Sequence, residues 1–169
     1  MRFPNCLPSL LLIAPLLSGC GDGRPKLVQA SGQVLLNGQP LAGALVSFQP
    51  VEVNAEAFER PSWTTTDAQG RFTPMTYAAG DGIPVGKYKV AVQKREPVGE
   101  LPADFNWETA DDASVKFQWT TPRKYSSPDT SGLEVEVTGS GMQPDVLNLT
   151  ADGPPEIEQS GPRGPVNEA

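Results

Sequence analysis

The 169-residue sequence contains no histidine and only two cysteines, Cys6 and Cys20. Without an imidazole side chain the protein has neither a Ser-His-Asp triad nor a Cys-His dyad, and it lacks the nitrogen ligand that zinc sites commonly use. A pair of carboxylates is the catalytic arrangement that remains. The composition therefore predicts a protein that is not an enzyme and that needs no cofactor.

Positive charge is also scarce. Thirteen lysine and arginine residues stand against 20 aspartate and glutamate residues, which gives a formal net charge of −7. An acidic chain without a basic patch is a poor partner for nucleic acid and for anionic lipid headgroups. On this ground we expect neither of them as a partner.

The N-terminal apolar segment, residues 7–17, is too short to span a bilayer. It follows Arg2 and ends at Ser18-Gly19-Cys20, an arrangement typical of a secretory signal peptide. The segment resembles a bacterial lipobox, and this resemblance implies cleavage before Cys20 and lipidation of its thiol, through a thioether, and of its amine, with palmitate as an expected acyl chain. The alternative is an ordinary signal peptide in which Cys20 is incidental.

Acyl chains contribute ~0.8 kcal/mol per buried CH₂, so several of them on Cys20 would hold the protein on a membrane. Loss of residues 1–19 removes one basic residue, no acidic residue and Cys6, so the mature chain has a net charge of −8 and cannot form an intramolecular disulfide. The residue after Cys20 is Gly21 and not aspartate, and this resembles the default sequence for transfer of a lipoprotein to the outer membrane. Residues 20–25 are predicted to be a short lipidated tether in the cell envelope.

Glycine and proline are frequent, with 17 and 18 residues, and they favour many short strands. Asn37-Gly38 predicts a tight turn between the first two strands, and Asp67 and Gly70 predict a second turn. Period-two alternation predicts the side chains that face the core: Val34 and Leu36; Ala44, Val46 and Phe48; Phe72; Tyr88, Val90 and Val92; Leu133, Val135 and Val137; Leu147 and Leu149. Lys87, Lys89 and Ala91 are predicted to face outward.

The pattern predicts an all-β protein, a seven-stranded antiparallel sandwich over residues 26–150. The segment 145–150 is predicted to pair back onto the strand 133–137. Residues 94–124 interrupt the rhythm as a long insertion before the last two strands. From residue 151 to residue 169 the chain has almost no apolar content, which predicts a disordered tail.

Several segments together carry a resemblance to a known family: 32–50 with Asn37-Gly38-x-Pro40-Leu41, 66–72, 85–90, 122–125 and 130–133. In this order they resemble the carboxypeptidase-regulatory-like, transthyretin-like β-sandwich modules of small bacterial lipoproteins, notably those of planctomycetes. The resemblance implies a Greek-key, Ig-like sandwich that is usually accessory or adhesive and not catalytic. The family's enzymatic relatives, the hydroxyisourate hydrolases, depend on histidines that this chain lacks.

The insertion 94–124 holds the candidate ligand-contact residues. Four aromatic residues are predicted either to form a platform for a sugar or peptide or to pack the insertion down: Phe105, Trp107, Phe117 and Trp119. Four acidic residues are predicted to solvate the loop, with a carboxylate pair or a calcium site as alternatives: Asp104, Glu108, Asp111 and Asp112. Tyr125, just beyond, is predicted to be buried with its hydroxyl bonded to the backbone.

The function predicted from these observations is that of a membrane-anchored, non-catalytic structural or interaction module of the cell envelope. Its partners would be the membrane, through the lipid on Cys20, and an envelope protein or glycan. A carbohydrate- or peptide-binding module that uses the aromatic insertion is the second hypothesis. A small hydrolase that uses Glu108 or Asp112 is the third.

Overall fold

The computed structural model describes residues 23–52, 60–99, 101 and 116–159. Over these ranges the protein is predominantly β with several antiparallel sheets, which confirms the predicted fold class at that level. The strands are β1 Leu27–Val28, β2 Gly32–Leu36, β3 Gln39–Pro40, β4 Leu45–Pro50, β5 Ser62–Thr65, β6 Arg71–Phe72, β7 Ile83–Pro84, β8 Gly86–Gln93, β9 Arg95–Pro97, β10 Lys116–Trp119, β11 Leu133–Thr138, β12 Gly141–Gln143, β13 Val146–Leu149 and β14 Glu156–Gln159. A 3₁₀ helix at Arg123–Ser126 and helix α1 at Pro128–Ser131 lie between β10 and β11.

The larger sheet has five antiparallel strands in the order β12-β11-β8-β4-β5. Its central strand β8 buries Tyr88, Val90 and Val92, as the alternation predicts. On the neighbouring strand β4, Val46 lies opposite Val92 and Phe48 lies opposite Val90. Apolar pairs that repeat across the ladder on one face give this sheet one buried side.

The smaller main sheet is built around β2, with β13 and β3 as neighbours and β6 paired to the first residues of β2. Val34, Leu147 and Leu149 are buried on it. The hydrophobic core draws on both sheets, and the rings of Phe48 and Phe72 contact each other across it with centroids 5.8 Å apart. The burial of large apolar side chains from both sheets is the main favourable contribution to folding.

The predicted pairing of the first two strands is wrong, although the predicted turn between them is confirmed. Asn37 and Gly38 adopt φ values of 50° and 78°, and they connect β2 to the two-residue strand β3. The next strand, β4, belongs to the other sheet. Thr66 explains the separation, because its hydroxyl accepts from the N–H of Ala44 (2.9 Å) and donates to the carbonyl of Leu41 (2.6 Å). The connecting segment is therefore tied to the end of β5 through Thr66, as well as to β2 through the Leu41 N–H, which donates to the carbonyl of Val34.

A second correction concerns the pairing of residues 145–150. This segment was predicted to pair back onto the strand 133–137, but β12 takes that place, with Met142 opposite Val137. β13 crosses to the other sheet and runs parallel to β2, with Leu147 opposite Val34. Pro144 separates the two strands and has no N–H for a ladder bond. The described sheets are thus not antiparallel throughout.

Ala91 was predicted to face outward, but it is buried with 3% exposure. The outer face of β8 is covered at this point, because α1 and the 3₁₀ helix pack against β8. The Ser131 hydroxyl of α1 donates to the carbonyl of Val90 at 2.5 Å. Period-two alternation cannot predict this burial, because the residues that cover β8 lie 30 to 40 positions further along the chain.

Tyr125 joins the 3₁₀ helix to the end of β13, and its predicted burial and backbone bond are confirmed. The side chain is 6% exposed, and its hydroxyl accepts from the N–H of Thr150 at 3.1 Å. The Thr150 hydroxyl lies 3.4 Å from the same oxygen. The segment that covers β8 is thereby attached to the smaller main sheet as well.

We expect Tyr125→Phe to lower the free energy of unfolding by about 1–2 kcal/mol, because it leaves the Thr150 N–H without its acceptor. Urea denaturation followed by circular dichroism measures this loss. Thr150→Val serves as the control, since it removes only the longer contact and keeps the backbone bond, so its loss should be the smaller one. Equal stability of the Tyr125→Phe variant and the wild type would contradict the assigned role.

A further three-stranded antiparallel sheet has the order β14-β10-β9. β14 lies within residues 151–169, which were predicted to be disordered, so the prediction does not hold for Glu156–Gln159. β14 has little apolar content, and its Ile157 is 65% exposed. It pairs with β10 through the backbone ladder and through Glu158, which accepts from the indole Nε1–H of Trp119 at 2.7 Å.

Candidate functional site

The structure describes only some of the predicted site residues. Cys20, the proposed lipidation site, lies outside the described residues, as do the aromatic residues Phe105 and Trp107. The acidic candidates are outside them too: Asp104, Glu108, Asp111 and Asp112. Among residues 23–52, 60–99, 101 and 116–159, no helix has the length and apolar character needed to cross a bilayer.

The two aromatic candidates that are described, Phe117 and Trp119, lie on one face of β10 and are 5% and 7% exposed. Arg95 lies on β9, opposite Trp119 of β10. Its guanidinium lies 4.5 Å from the ring centroid of Phe117 and 5.8 Å from that of Trp119. The guanidinium of Arg123 lies 5.7 Å from the Trp119 centroid. Cation–π contacts of this kind stabilise the rings where they are.

This arrangement gives Phe117 and Trp119 a packing role. Their faces are occupied by arginine side chains, and the polar edge of the indole is bonded to Glu158. A sugar that stacked on either ring would have to displace Arg95 or Arg123. The platform hypothesis then depends on Phe105 and Trp107, and for those two residues it stays a prediction.

A surface groove with a volume of about 690 Å³ lies where β2, β6 and β13 begin. Its charged lining residues are Asp67, Arg71 and Asp145, with Gln33 beside them. A second groove of about 540 Å³ adjoins it and shares Ser31 and Asp145. The lining offers hydroxyl, amide, carboxylate and guanidinium groups, which suit a hydroxyl-rich ligand.

The backbone around this groove is tightly built. A Cβ on Gly32 would lie 2.5 Å from the Phe72 ring and 2.7 Å from the carbonyl oxygen of Asp145, so only glycine fits there. Asp67 is held by its own turn, since its Oδ1 accepts from the N–H groups of Gln69 (2.9 Å) and Arg71 (2.8 Å). In the part of the chain that the structure describes, no three cysteine, aspartate or glutamate side chains converge in a way that could hold a metal ion.

A different cluster lies in the loop between β6 and β7 and is organised by Asp81. Its Oδ1 accepts from the N–H of Thr76, and its Oδ2 accepts from the N–H groups of Tyr77 and Ala78, each at 2.8 Å. Burial raises the pKa of the Asp81 carboxyl, but these backbone hydrogen bonds together with that of its own N–H outweigh burial and lower the pKa below its ordinary value.

The lowered pKa of Asp81 predicts how the stability of this loop depends on pH. A carboxyl whose pKa is lower in the folded state contributes stability above its unfolded-state pKa of about 3.9. That contribution is lost as the pH falls through the lower, folded-state value. Asp81→Asn removes the charge, so we expect it to unfold at a lower urea concentration than the wild type at pH 7, with the difference shrinking toward pH 3.

Asp67→Asn is the matched control for this experiment, because one oxygen of Asp67 accepts both of its backbone bonds and an amide retains that oxygen. Its urea midpoint at pH 7 should stay close to that of the wild type. If Asp81→Asn unfolded at the wild-type midpoint at every pH, the structural role of the Asp81 charge would be contradicted.

The same loop brings two arginines to one tyrosine. The guanidinium carbons of Arg24 and Arg60 lie 4.7 and 5.0 Å from the ring centroid of Tyr77. Arg60 also donates through Nε to the carbonyl of Thr76. We call Arg24, Arg60 and Tyr77 the Arg-Tyr-Arg cluster. Sequence analysis missed it because its members are 17 to 53 positions apart and belong to no local motif.

Comparison with protein-family models, with curated proteins and with solved structures finds no match to this chain. The assignment of a function therefore depends on the residues and the geometry described above.

Proposed function

We propose that the chain is a lipid-anchored, non-catalytic β domain of the bacterial cell envelope, which acts as a structural or interaction module. The observation that carries the proposal is the sequence Leu17-Ser18-Gly19-Cys20 at the end of an apolar segment of signal-peptide length. The acylated Cys20 would stand seven residues before the first strand. The β body would then be held at the membrane surface, where a structural or interaction module of the envelope acts.

Two properties support the architecture and the lack of catalysis within this proposal. The core joins side chains of the two main sheets, in keeping with a transthyretin-like sandwich as its finer classification. The whole sequence has no histidine, and the thiol of Cys20 would be consumed by acylation. Neither a histidine-based nucleophile system nor a free thiolate would then be present in the mature protein.

The proposal is tested by fractionating cells that carry the Cys20→Ala variant. We expect the wild-type protein in the membrane fraction and in the detergent phase of a phase-separation assay, and the variant entirely outside them. Cys6→Ala is the control, because that residue precedes the cleavage site and its loss should leave the distribution unchanged. Membrane retention of the Cys20→Ala variant would contradict the anchor.

A second candidate function, the binding of a carbohydrate, is favoured by the polar groove at Gln33, Asp67, Arg71 and Asp145. Carboxylate, amide and guanidinium groups bind sugar hydroxyls through directional hydrogen bonds. Glycan-array binding that is lost in Arg71→Ala and kept in Lys116→Ala would support this candidate. Identical array profiles for wild type and Arg71→Ala would remove the groove as its site.

A further inference from the structure

The segment that would follow the lipidated residue is fixed to the body at a defined place. β1 pairs with β7, with Leu27 opposite Pro84 and Val28 opposite Ile83. The side chain of Gln29 donates to the carbonyl of Gly80 at 3.0 Å. Counting the stacking of Arg24 on Tyr77, three separate contacts thus attach residues 24–29 to β7 and to the loop that precedes it.

The two backbones also approach closely at this place. Gly82 has φ of +98°, and a Cβ on it would lie 2.4 Å from the carbonyl oxygen of Val28. The loop itself is held from within by Thr76, whose hydroxyl donates to the carbonyl of Gly82 at 2.7 Å and lies 2.8 Å from the Ser62 hydroxyl. The attachment of β1 is therefore part of the packed structure.

Covalent geometry limits how far the body can move from the anchor. Cys20 and Arg24 are four residues apart, and a fully extended chain of that length spans about 14 Å. A domain of this size has a radius of gyration of about 14 Å and a diameter of about 35 Å. The tether is shorter than the body is wide, so the surface around Arg24 stays next to the bilayer while the opposite end cannot reach it.

The charge at this surface differs from that of the whole protein. Arg24, Lys26 and Arg60 are exposed, and two of them share the ring of Tyr77, whereas the mature chain has a net charge of −8. The Asp81 carboxylate of the same loop, whose Oδ2 accepts from the N–H of Tyr77, offsets part of this positive charge. Guanidinium groups match phosphate oxygens in geometry, and tyrosine is enriched at the membrane–water interface.

We propose that the Arg-Tyr-Arg cluster is the membrane-facing surface of the protein and that it binds the phosphate groups of bilayer lipids. The proposal rests on the lipid anchor of the proposed function. It departs from the expectation against anionic headgroups, because that expectation used the net charge and the absence of a basic patch in the sequence. The fold creates the cationic surface by bringing together residues that are distant along the chain.

The orientation is measured with the lipidated protein in vesicles of phosphatidylcholine and phosphatidylglycerol in equal parts. A fluorophore is placed on Ala79→Cys, beside the cluster, or on Gln39→Cys, at the end of β2 away from β1. Both positions are exposed, and acylated Cys20 has no free thiol to compete for the label. Lipids with a spin label on the headgroup should quench the fluorophore at position 79 several-fold more than the one at position 39.

Charge-neutral variants test the role of the arginines. R24Q/R60Q should reduce the quenching at position 79, while the short tether keeps it above the quenching at position 39. K116Q/K124Q is the matched control, because it also removes two positive charges, and Lys124 likewise lies over a tyrosine ring, that of Tyr125, at 4.8 Å. We expect this control to keep the wild-type difference.

The outcomes separate the two claims. Equal quenching at positions 79 and 39 in vesicle-bound wild type would overturn the membrane-facing surface and leave the anchor intact. Quenching at position 79 that was the same in R24Q/R60Q as in the wild type would overturn phosphate binding by the cluster. Failure of the lipidated protein to float with the vesicles in a density gradient would overturn the anchor, and the proposal with it.

Discussion

Replacement of Phe48 by alanine is expected to lower the free energy of unfolding by about 3–5 kcal/mol, in the range of buried aromatic truncations. Phe48 is fully buried on β4, between β8 and β5. Its ring contacts those of Phe72 and Tyr88, with centroids 5.8 and 6.4 Å away and the Tyr88 ring nearly perpendicular. The cavity left by the ring would lie between the two main sheets, where the surrounding strands cannot close it.

Urea denaturation of the mature domain, followed by circular dichroism, measures this loss. Val51→Ala is the control, because Val51 follows β4 directly and is 51% exposed, so its truncation should cost less than about 0.5 kcal/mol. Similar losses for the two variants would mean that Phe48 is not part of a packed core, and they would contradict the arrangement of the sheets.

The second large effect is expected at Gly70, and Gly43 provides a control with nearly the same backbone conformation. The φ angles are +69° at Gly70 and +66° at Gly43, so alanine suffers the same conformational penalty at both, about 1–2 kcal/mol. Only at Gly70 does a Cβ meet other atoms, the carbonyl oxygen of Val34 at 2.6 Å and the N–H nitrogen of Leu41 at 2.9 Å. At Gly43 nothing lies within 4 Å.

Gly70→Ala must therefore shift backbone that carries two hydrogen bonds, from Val34 to Gly70 at 2.8 Å and from Leu41 to Val34 at 3.0 Å. With about 1 kcal/mol for each bond, we expect a total loss of about 3–4 kcal/mol, against about 1–2 kcal/mol for Gly43→Ala. Thermal denaturation of both variants gives the comparison. Equal losses would show that the Asp67–Gly70 turn does not pack against β2 as described.

Local chemistry was sufficient to predict the turns and the buried faces of the strands. Asn37-Gly38 and the Asp67–Gly70 turn act through residues within four positions of one another, and both have the expected conformations. Period-two spacing placed Val46, Phe48, Val90 and Val135 in the core correctly. Such signals need no knowledge of which strands become neighbours.

The choice of neighbouring strands could not be predicted in this way. β4 follows β2 closely along the chain but belongs to the other sheet, where it pairs with β5 and β8, and Thr66 ties the segment before it to the end of β5. β13 pairs in parallel with β2, more than 100 residues earlier in the chain. The burial of Ala91 and the formation of β14 could not be predicted for the same reason, because each depends on contacts with a segment that is distant in sequence.

The candidate sites also differ in whether adjacent residues or only the fold can reveal them. The proposed lipobox at Cys20 is a continuous motif that is predicted from adjacent residues. The Arg-Tyr-Arg cluster consists of three residues from separate segments, and the negative net charge of the chain gives no indication of it. Its position beside the attachment of β1 to β7 is a property of the fold alone.

The anchor of the β body can be tested most directly by mass spectrometry of the N-terminal peptide of the protein extracted from its membrane. We predict a peptide that begins at Cys20 and carries a diacylglyceryl thioether on its sulfur, with residues 1–19 absent. A peptide that begins at Cys20 with a free thiol, or one that retains residues 1–19, would contradict the lipid anchor.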